Sequence, residues 1–308
     1  MSDKQPSQGF ERSNILIVGT GLIGTSIGLA LRRRLKQVKI AGWDPARGRA
    51  AAARRKGALD RVAPTLEAAL REVDTVVLAA PLEAIVRLVP QVLAQTQTRA
   101  FIIEVGPLLA PVVAAAAPAL RLTAGERQFV AGHPLAGAES SGPQGANAEM
   151  FGGRPFALYA PPQKNRAAAS RRAQSFARLL GAVPVRLKPS DHDRIVAATS
   201  ALPQVASLAL ALAAKRAGGR AANWVSGPGF DSATRLAQSP FSVWEAPLRA
   251  NARSTARALR ALEDTVRAFR RALESGDFGK IEAYFAAAAA ARRRIMGIRS
   301  RRAATRNS

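Results

Sequence analysis

Two histidines, His133 and His192, are the chain's candidates for acid–base chemistry near neutral pH. His133 lies in a glycine-rich segment, 132–142, with the carboxylate of Glu139 six residues further on, and His192 lies between two aspartates. An imidazole can take a proton from a reacting hydroxyl because its ordinary pKa lies close to neutral. By itself, the pattern fits a loop-capping histidine as well as a reactive one. The 308 residues include no cysteine and few histidines, so we expect no disulfide, no cysteine nucleophile and no bound metal.

A second candidate site is the glycine pattern G-x-G-x-x-G at 19–24, which follows a short apolar run ending at Val18. The first glycine allows a tight turn, the second lets the backbone approach a diphosphate, and the third lets helix and strand pack closely. The N-terminus of the helix that follows offers free N–H groups and partial positive charge to the phosphates. The pattern predicts a dinucleotide site with the candidate residues Gly19, Gly21, Leu22, Ile23 and Gly24.

Asp44 comes 20 residues after Gly24, at the end of the second predicted strand. A carboxylate there accepts hydrogen bonds from the adenosine ribose and repels a 2′-phosphate, so we expect NAD in preference to NADP. Arg47 and Arg49 lie close by and weaken that preference. The simpler alternative for Asp44 is a helix cap ahead of Pro45.

The elements that position these residues are predicted from the spacing of apolar residues. Short apolar runs alternate with helical segments through residues 1–189, which predicts an α/β domain of the Rossmann type with a parallel sheet covered on both faces. Residues 1–12 of this domain are expected to be disordered. The predicted strands are 14–18, 38–43, 75–79, 101–105, 129–132, 156–159 and 183–187, and the predicted helices are the stretch from the glycine pattern to about 35, then 47–56, 82–93 and 166–180.

The pattern changes near Pro189, after which no strand is predicted. The segment 190–296 is predicted to be an all-α domain that binds substrate and dimerises. One of its helices is long and amphipathic, and such helices often pack across a dimer axis. The last residues, 297–308, carry several arginines and no acid and are expected to be a disordered basic tail. The predicted helices are 191–216, 231–238, 241–274 and 277–296.

Charge and composition limit the partners. The chain has 46 basic and 21 acidic residues, a net charge of +25 that draws anionic small molecules inward. The arginines are scattered and aromatic residues make up 5%, so no specific nucleic-acid surface is predicted. The uncharged stretch 195–214 is long enough to span a bilayer, but it is rich in alanine and contains Pro203 and Gln204. We therefore interpret it as a buried helix of a soluble, cytoplasmic protein with no membrane partner.

Several segments occur in the order and spacing of one enzyme family, the prephenate/arogenate dehydrogenases. They are 19–24, 132–142, 150–155, 191–193 and 229–235, and the chain resembles this family over about residues 14–275. The histidine segment and the Gly-Phe…Thr-Arg segment at 229–235 are the most specific parts. The resemblance implies oxidation of prephenate or arogenate by NAD with loss of carbon dioxide, giving 4-hydroxyphenylpyruvate or tyrosine. It also implies a homodimer formed through the helical domain.

The same resemblance implies roles for single residues. His133 corresponds to the histidine that takes the proton of the substrate hydroxyl as hydride departs, and Arg235 to the arginine that holds a substrate carboxylate. Glu139 corresponds to an acid at the mouth of the site. His192 and Trp244 correspond to residues close to the substrate, with helix capping and core packing as their respective alternatives.

Departures from the family pattern leave the substrate open. The resemblance places a serine at the position of Pro107, and proline offers neither a hydroxyl nor an N–H. It also places histidines at Ala201 and Gln204, the second of them in the substrate pocket of members that use prephenate. Gln204 can hydrogen-bond but cannot carry charge. The candidates are prephenate, arogenate and a modified acid such as 4-amino-4-deoxyprephenate, and the retained imidazole, acid and arginine argue against an inactive relative.

Two other classes of protein are kept as alternatives. A β-hydroxyacid dehydrogenase shares the N-terminal fold and a helical second domain, but that class relies on a lysine there, and Lys215 and Lys280 lie in no recognisable motif. A nucleotide-sensing or nucleic-acid-binding protein would use the basic surface without turnover, and its binding would weaken steeply with salt.

Overall fold

The computed structural model describes residues 9–97, 99–122, 127–137 and 142–304, without the side chains of 220, 222–223 and 297–304. The N-terminal part is built on one eight-stranded sheet with the strand order β3-β2-β1-β4-β5-β6-β7-β8. Its strands are β1 Asn14–Val18, β2 Lys39–Trp43, β3 Arg61–Val62, β4 Thr75–Leu78, β5 Phe101–Glu104, β6 Gln128–Pro134, β7 Pro155–Tyr159 and β8 Val183–Arg186.

Helices cover the sheet and make up the rest of the described chain. This α/β part followed by helices confirms the predicted fold class. The helices between strands are α1 Leu22–Arg34, α2 Arg47–Arg55, α3 Leu66–Arg71, α4 Leu82–Gln95, α5 Ala110–Leu122 and α6 Arg166–Leu179. The later ones are α7 Pro189–Val196, a π-helical segment Ala197–Ala201, α8 Leu202–Gly218, α9 Ala222–Val225, α10 Pro228–Thr234, the 3-10 turn Arg235–Gln238, α11 Phe241–Ala250, α12 Ala252–Glu274 and α13 Phe278–Ala304.

The sheet has the strand order of a dinucleotide-binding domain. The six neighbouring strands β3, β2, β1, β4, β5 and β6 are parallel to one another. The direction in which successive strands are added to the sheet reverses between β1 and β4. Alternate residues of β1 enter different cores, Ile15 and Ile17 on one face and Leu16 and Val18 on the other. Burial on both faces explains why the strand reads as a continuous apolar run. In such sheets, ligands bind at the carboxyl ends of the strands beside the reversal.

One strand pair differs from the predicted parallel sheet. Strand β7 runs antiparallel to β6, with His133 opposite Ala157. A parallel return needs a long crossover, usually a helix, and the described part of the connection from Pro134 to Pro155 has only a 3-10 turn, Pro143–Gly145. The prediction of an all-parallel sheet is therefore wrong here, and His133 lies within a strand rather than on a loop.

The predicted disorder at the N-terminus is wrong from residue 9 onward, and residues 1–8 lie outside the described residues. Phe10 is 1% exposed, and its ring lies 5.9 Å from that of Phe101 and 5.7 Å from that of Phe176. The guanidinium of Arg172 lies 5.2 Å from the centre of the Phe10 ring. Full burial of a phenylalanine stabilises a fold by about 1.5–3 kcal/mol, and this contact attaches the segment to the core.

Contacts between Cα atoms divide the chain into two compact units. The first runs to Val196 and also includes Ser239–Asn251, and the second comprises Ala197–Gln238 and the chain from Ala252 onward. Helix α7 therefore belongs to the α/β unit, although its residues were predicted as the start of the helical domain. So does α11, whose Ala246 packs against the core beneath the sheet.

The predicted helix 241–274 is two helices, α11 and α12, separated at Asn251. Asn251 leaves the helical conformation with φ −117° and ψ 26°. Its side-chain amide donates to the carbonyl oxygen of Asp193 at 2.7 Å, which ties α11 to α7 within the first unit. Because apolar residues continue at helical spacing on both sides of Asn251, the sequence pattern does not show the break.

In the helical unit, α12 and α13 pack against each other, with the rings of Phe269 and Tyr284 in an edge-to-face contact at 5.7 Å. Helix α13 continues to Ala304, so the tail predicted to be disordered from 297 is helical up to that residue. Residues 305–308 lie outside the described residues.

The apolar stretch of the sequence forms the helical run Pro189–Gly218, which is long and apolar enough to cross a bilayer by length and composition. Of the 18-residue apolar stretch within this run, 28% is buried. Gln204 and Ser207 are buried, but the later leucines 208, 210 and 212 are exposed. The prediction of a buried core helix is therefore wrong for the second half of α8. Exposed apolar residues of this kind mark a surface that a partner can cover.

Candidate active site

Two glycines of the turn between β1 and α1 have no room for a side chain. Gly19 has φ +89°, a left-handed conformation that favours glycine, and a Cβ there would lie 2.6 Å from the carbonyl oxygen of Ala79. A Cβ on Gly24 would lie 2.0 Å from the carbonyl oxygen of Gly19. The turn therefore needs glycine at both positions because the backbone passes close to itself and to β4.

Gly21 faces open space instead, since a Cβ there would meet nothing within 4 Å. It is the N-cap residue of α1, and no side chain caps that helix end. Leu22 and Ile23 begin the helix, so their N–H groups have no partner within it. Room for a diphosphate and N–H donors to bind it are therefore present together, and these residues fit a dinucleotide such as NAD.

Asp44 follows β2 directly and lies beside the same turn, where it is almost completely buried. One carboxylate oxygen accepts from the N–H of Thr20 at 2.9 Å and from its hydroxyl at 3.2 Å. The other accepts from the N–H of Ala46 at 2.9 Å and from the Arg49 guanidinium at 3.4 Å. Asp44 therefore fixes the turn to the end of β2. The N-cap of α2 is Ala46, with no side-chain cap hydrogen bond, so the structure does not support the capping alternative.

His133 and His192 are in contact. Nδ1 of His133 lies 3.0 Å from Nε2 of His192, and Nδ1 of His192 lies 2.7 Å from Oδ1 of Asp193. His192 is 1% exposed, whereas His133 is half-buried at the carboxyl end of β6. Both nitrogens of His192 are engaged by protein groups, so the expected direct contact between His192 and substrate does not fit the structure.

Asp193 is anchored by the segment that opens α5. Its Oδ1 accepts from the N–H of Leu109 at 2.9 Å and its Oδ2 from the N–H of Ala110 at 3.0 Å. Backbone N–H groups at a helix N-terminus stabilise a negative charge. Sequence reasoning did not assign this aspartate a role, because the donors lie more than 80 residues away in the chain.

The surroundings of His133 favour its neutral form. Removal of the ring from water lowers the pKa of His133 well below its ordinary value, while the negative charge of Asp193 opposes the shift. A neutral imidazole has one nitrogen free to accept a proton. His133 is therefore unprotonated, as a general base must be before it acts, over a wide range of pH.

Glu104, at the end of β5, is a buried carboxyl that pairs with Ala131 of β6, two residues before His133. Its Oε2 accepts from the N–H of Gly106 at 2.7 Å and its Oε1 from the N–H of Gly132 at 3.1 Å. Burial raises the pKa of Glu104 to about 8, and the charge of Asp193 contributes to the rise, although the two N–H donors oppose it. Glu104 thus holds the residue before His133, a role that sequence reasoning missed.

In the helical unit, the structure brings Gln204 next to the turn that begins at Arg235. Nε2 of Gln204 donates to the carbonyl oxygen of Leu236 at 2.9 Å. Oε1 of Gln204 is buried and has no hydrogen-bond partner within the part of the chain that the structure describes. Arg235 itself is exposed. A buried carbonyl oxygen in this position is free to accept a hydrogen bond from a ligand.

For two other predicted site residues, Trp244 and Glu139, the structure gives less information about a role in the site. Trp244 lies on α11 and is half-buried. Glu139 belongs to 138–141, outside the described residues. Among the described residues, no cluster of three or more His, Cys, Asp or Glu has the geometry of a metal site.

The fold and these contacts define a class, that of nicotinamide-dependent dehydrogenases with a histidine at the carboxyl edge of the sheet. Residues 27–186 match the family model for the nucleotide-binding domain of prephenate dehydrogenase, and residues 188–287 match the model for its dimerization domain. The chain therefore belongs to the prephenate dehydrogenase family, as the sequence motifs predicted, and is an NAD-dependent oxidoreductase. The β-hydroxyacid dehydrogenase and nucleic-acid-binding alternatives are not favoured.

Individual relatives agree with the family. The chain is 34% identical over 263 residues to the probable prephenate dehydrogenase NovF of Streptomyces niveus, covering 82% of this chain and 68% of that protein. It is 29% identical over 237 residues to the prephenate dehydrogenase of Bacillus subtilis, covering 76% and 62%. The solved prephenate dehydrogenase of A. aeolicus, in complex with hydroxyphenyl propionate and NAD+, has the same fold, with a TM-score of 0.82 and 22% identity over 92% of this chain and 98% of that one.

Proposed function

We propose that this chain oxidises a prephenate-type cyclohexadienyl acid with NAD, with loss of carbon dioxide. The observation that carries the proposal is His133, held by His192 at the carboxyl edge of the sheet in a member of the prephenate dehydrogenase family. The ligands of the A. aeolicus relative, NAD+ and a hydroxyphenyl acid, support the same chemistry, since the expected product is also a hydroxyphenyl acid.

In the proposed reaction, Nε2 of His133 takes the proton of the ring hydroxyl while hydride leaves the same carbon. Bound NAD supplies the acceptor for that hydride. The ring carboxylate then leaves as carbon dioxide, its bonding electrons make the ring aromatic, and His133 returns the proton to the phenolic oxygen. Arg235 holds the remaining carboxylate through paired, charge-assisted hydrogen bonds, and Glu139 and Trp244 keep the roles near the substrate that the family resemblance gives them.

For the substrate, we propose an acid that carries an amino group, with arogenate preferred over prephenate. Oε1 of Gln204 can only accept a hydrogen bond, and it is buried without a partner among the described residues. The ammonium group of arogenate donates, whereas the keto group of prephenate only accepts. A buried acceptor that gains a donor avoids a cost of about 1–3 kcal/mol, or roughly 5- to 150-fold in binding.

The test is the absorbance of reduced nicotinamide with prephenate, arogenate and 4-amino-4-deoxyprephenate. We expect kcat/KM for arogenate to exceed that for prephenate by about tenfold, and Gln204→His to narrow the difference because imidazole can also donate. Ser207→Ala is the matched control, since Ser207 is also buried on α8 and accepts from Ala237 at 3.0 Å. Turnover of none of the three acids would contradict the function, and an unchanged ratio in Gln204→His would contradict the substrate preference.

We also propose that NAD is preferred over NADP, through the negative charge of Asp44. Asp44→Asn is expected to lower the NAD/NADP ratio of kcat/KM by about tenfold, because the repulsion of a 2′-phosphate is lost. Asp60→Asn is the control, since Asp60 accepts from Ile40 at 2.7 Å at the opposite end of β2. The proposal is wrong if both variants change the ratio equally or neither changes it.

For assembly, we propose a homodimer. The match of residues 188–287 to the family's dimerization domain supports it, as do the exposed leucines of α8, which a second copy would remove from water.

A further inference from the structure

We propose that His192 and Asp193 are positioning residues that hold His133 in the tautomer required for proton abstraction. The inference rests on the proposed function, because it gives His133 the role of base. The family resemblance supplied a different role for His192, a contact with substrate, and none for Asp193. The geometry points instead to a line of hydrogen bonds from Asp193 through His192 to His133.

The donors and acceptors in this series of hydrogen bonds are set by Asp193. Its two oxygens accept from the N–H groups of Leu109 and Ala110, at the N-terminus of the 13-residue helix α5. Donors and a helix N-terminus both stabilise the carboxylate form, which can only accept hydrogen bonds. Nδ1 of His192, 2.7 Å from Oδ1, must therefore carry a hydrogen and donate it.

The other nitrogens follow from this first bond. In neutral His192, protonation of Nδ1 leaves Nε2 as an acceptor. Nδ1 of His133, 3.0 Å away, must then be the donor, and Nε2 of His133 is left with a free lone pair. When that lone pair takes the substrate proton, the imidazolium formed keeps its bond to His192, and the charge of Asp193 balances it.

This support matters more here because of Pro107. The family resemblance places a serine hydroxyl at that position to orient the histidine, and proline has no hydroxyl and no N–H. His192 is buried, and both of its ring nitrogens are engaged by protein groups. It therefore holds the ring of His133 through Nδ1 of that ring. A hydrogen bond to a charged group contributes about 1.5–3 kcal/mol, so the loss of this support should lower activity by about 10- to 100-fold.

The tautomer can be observed directly, because the chain has only two histidines. In 15N-histidine-labelled protein, two-bond 1H–15N correlation spectra separate protonated from unprotonated ring nitrogens, and one substitution assigns both rings. We expect His133 to be protonated at Nδ1 and unprotonated at Nε2. Protonation of His133 at Nε2 in the wild-type protein would overturn the proposal, whether or not the protein turns over any cyclohexadienyl acid.

The matched substitutions are Asp193→Asn and Asp191→Asn. Asparagine at 193 has one acceptor oxygen for the three donors that Asp193 serves, and no charge to balance the imidazolium, so we expect both histidines to lose part of their tautomer preference and kcat to fall by about 10- to 100-fold, with KM and NAD affinity within about threefold. Asp191 lies on the other side of His192 in the same helix, but it is half-exposed and paired with Arg194, so Asp191→Asn should change neither the spectrum nor kcat. If the wild-type enzyme turns over a cyclohexadienyl acid and Asp193→Asn has the same kcat, the positioning role is wrong and the proposed function still holds.

A second pair keeps the test valid if Asp193→Asn does not fold. The carbonyl of His192→Gln can accept from Nδ1 of His133, and the side chain of His192→Leu cannot. We expect the glutamine variant to retain more kcat than the leucine variant by about tenfold. Equal activity in the two variants would contradict a positioning role for His192.

Discussion

Replacement of His133 by asparagine is expected to lower kcat by about 10²- to 10⁴-fold, the range typical for loss of a general base. The asparagine amide can still donate towards Nε2 of His192, but it cannot accept the proton of the substrate hydroxyl at neutral pH. Affinity for NAD should change little, because the glycine turn follows β1 and Asp44 follows β2, whereas His133 lies on β6. Single-turnover reduction of NAD, with cofactor binding measured separately, checks both statements.

The pH dependence of the wild-type enzyme gives a second view of the same residue. A base must be unprotonated to act, and burial keeps the pKa of His133 below the ordinary imidazole value of about 6.5. As pH falls, kcat/KM should therefore be retained below 6.5 and lost only as pH passes through the lowered pKa. His133→Asn should lack this acid limb. Turnover close to normal in the variant would remove His133 from the mechanism.

The dinucleotide half of the site was predictable because its determinants are local. Strand β1, the glycine turn and the start of α1 are contiguous, and each glycine requirement involves backbone close in sequence or on the adjacent strand. The antiparallel direction of β7 was harder to predict, because the evidence for it in the sequence is the lack of a long helix after Pro134. Order at Phe10 was missed because it depends on Phe101 and Phe176, which are distant in the chain.

The catalytic half was predictable only in part, because tertiary contacts build it. The sequence singled out both histidines, but adjacent helical residues do not normally face one another, so His192 and Asp193 gave no sign of a pair. Their role depends on Leu109 and Ala110, which come from a different segment. Sequence reasoning gave Glu104 no role, because its hydrogen bond from the N–H of Gly132 forms only when β5 and β6 pair.

The second large effect is expected at Arg235, where alanine should raise the apparent KM for substrate by about 10²-fold and leave kcat within a few-fold. A guanidinium that binds a carboxylate through two charge-assisted hydrogen bonds contributes about 3 kcal/mol, and it contributes equally before and during hydride transfer. Arg235→Lys should recover part of the loss, since a lysine keeps the charge but not the paired geometry. Steady-state kinetics with substrate and NAD varied in turn separates the two Michaelis constants.

The control for this loss of charge is Arg267→Ala in the same helical unit, because Arg267 is exposed and paired with Asp264 on the surface of α12. A general loss of attraction for an anionic substrate would affect both variants, whereas a specific carboxylate contact affects only Arg235. The Gln204 side chain is bonded to the turn that begins at Arg235, so the two residues are expected to act on the same end of the substrate. If Arg235→Ala changes only the Michaelis constant for NAD, the arginine belongs to the cofactor site and the carboxylate must be held elsewhere.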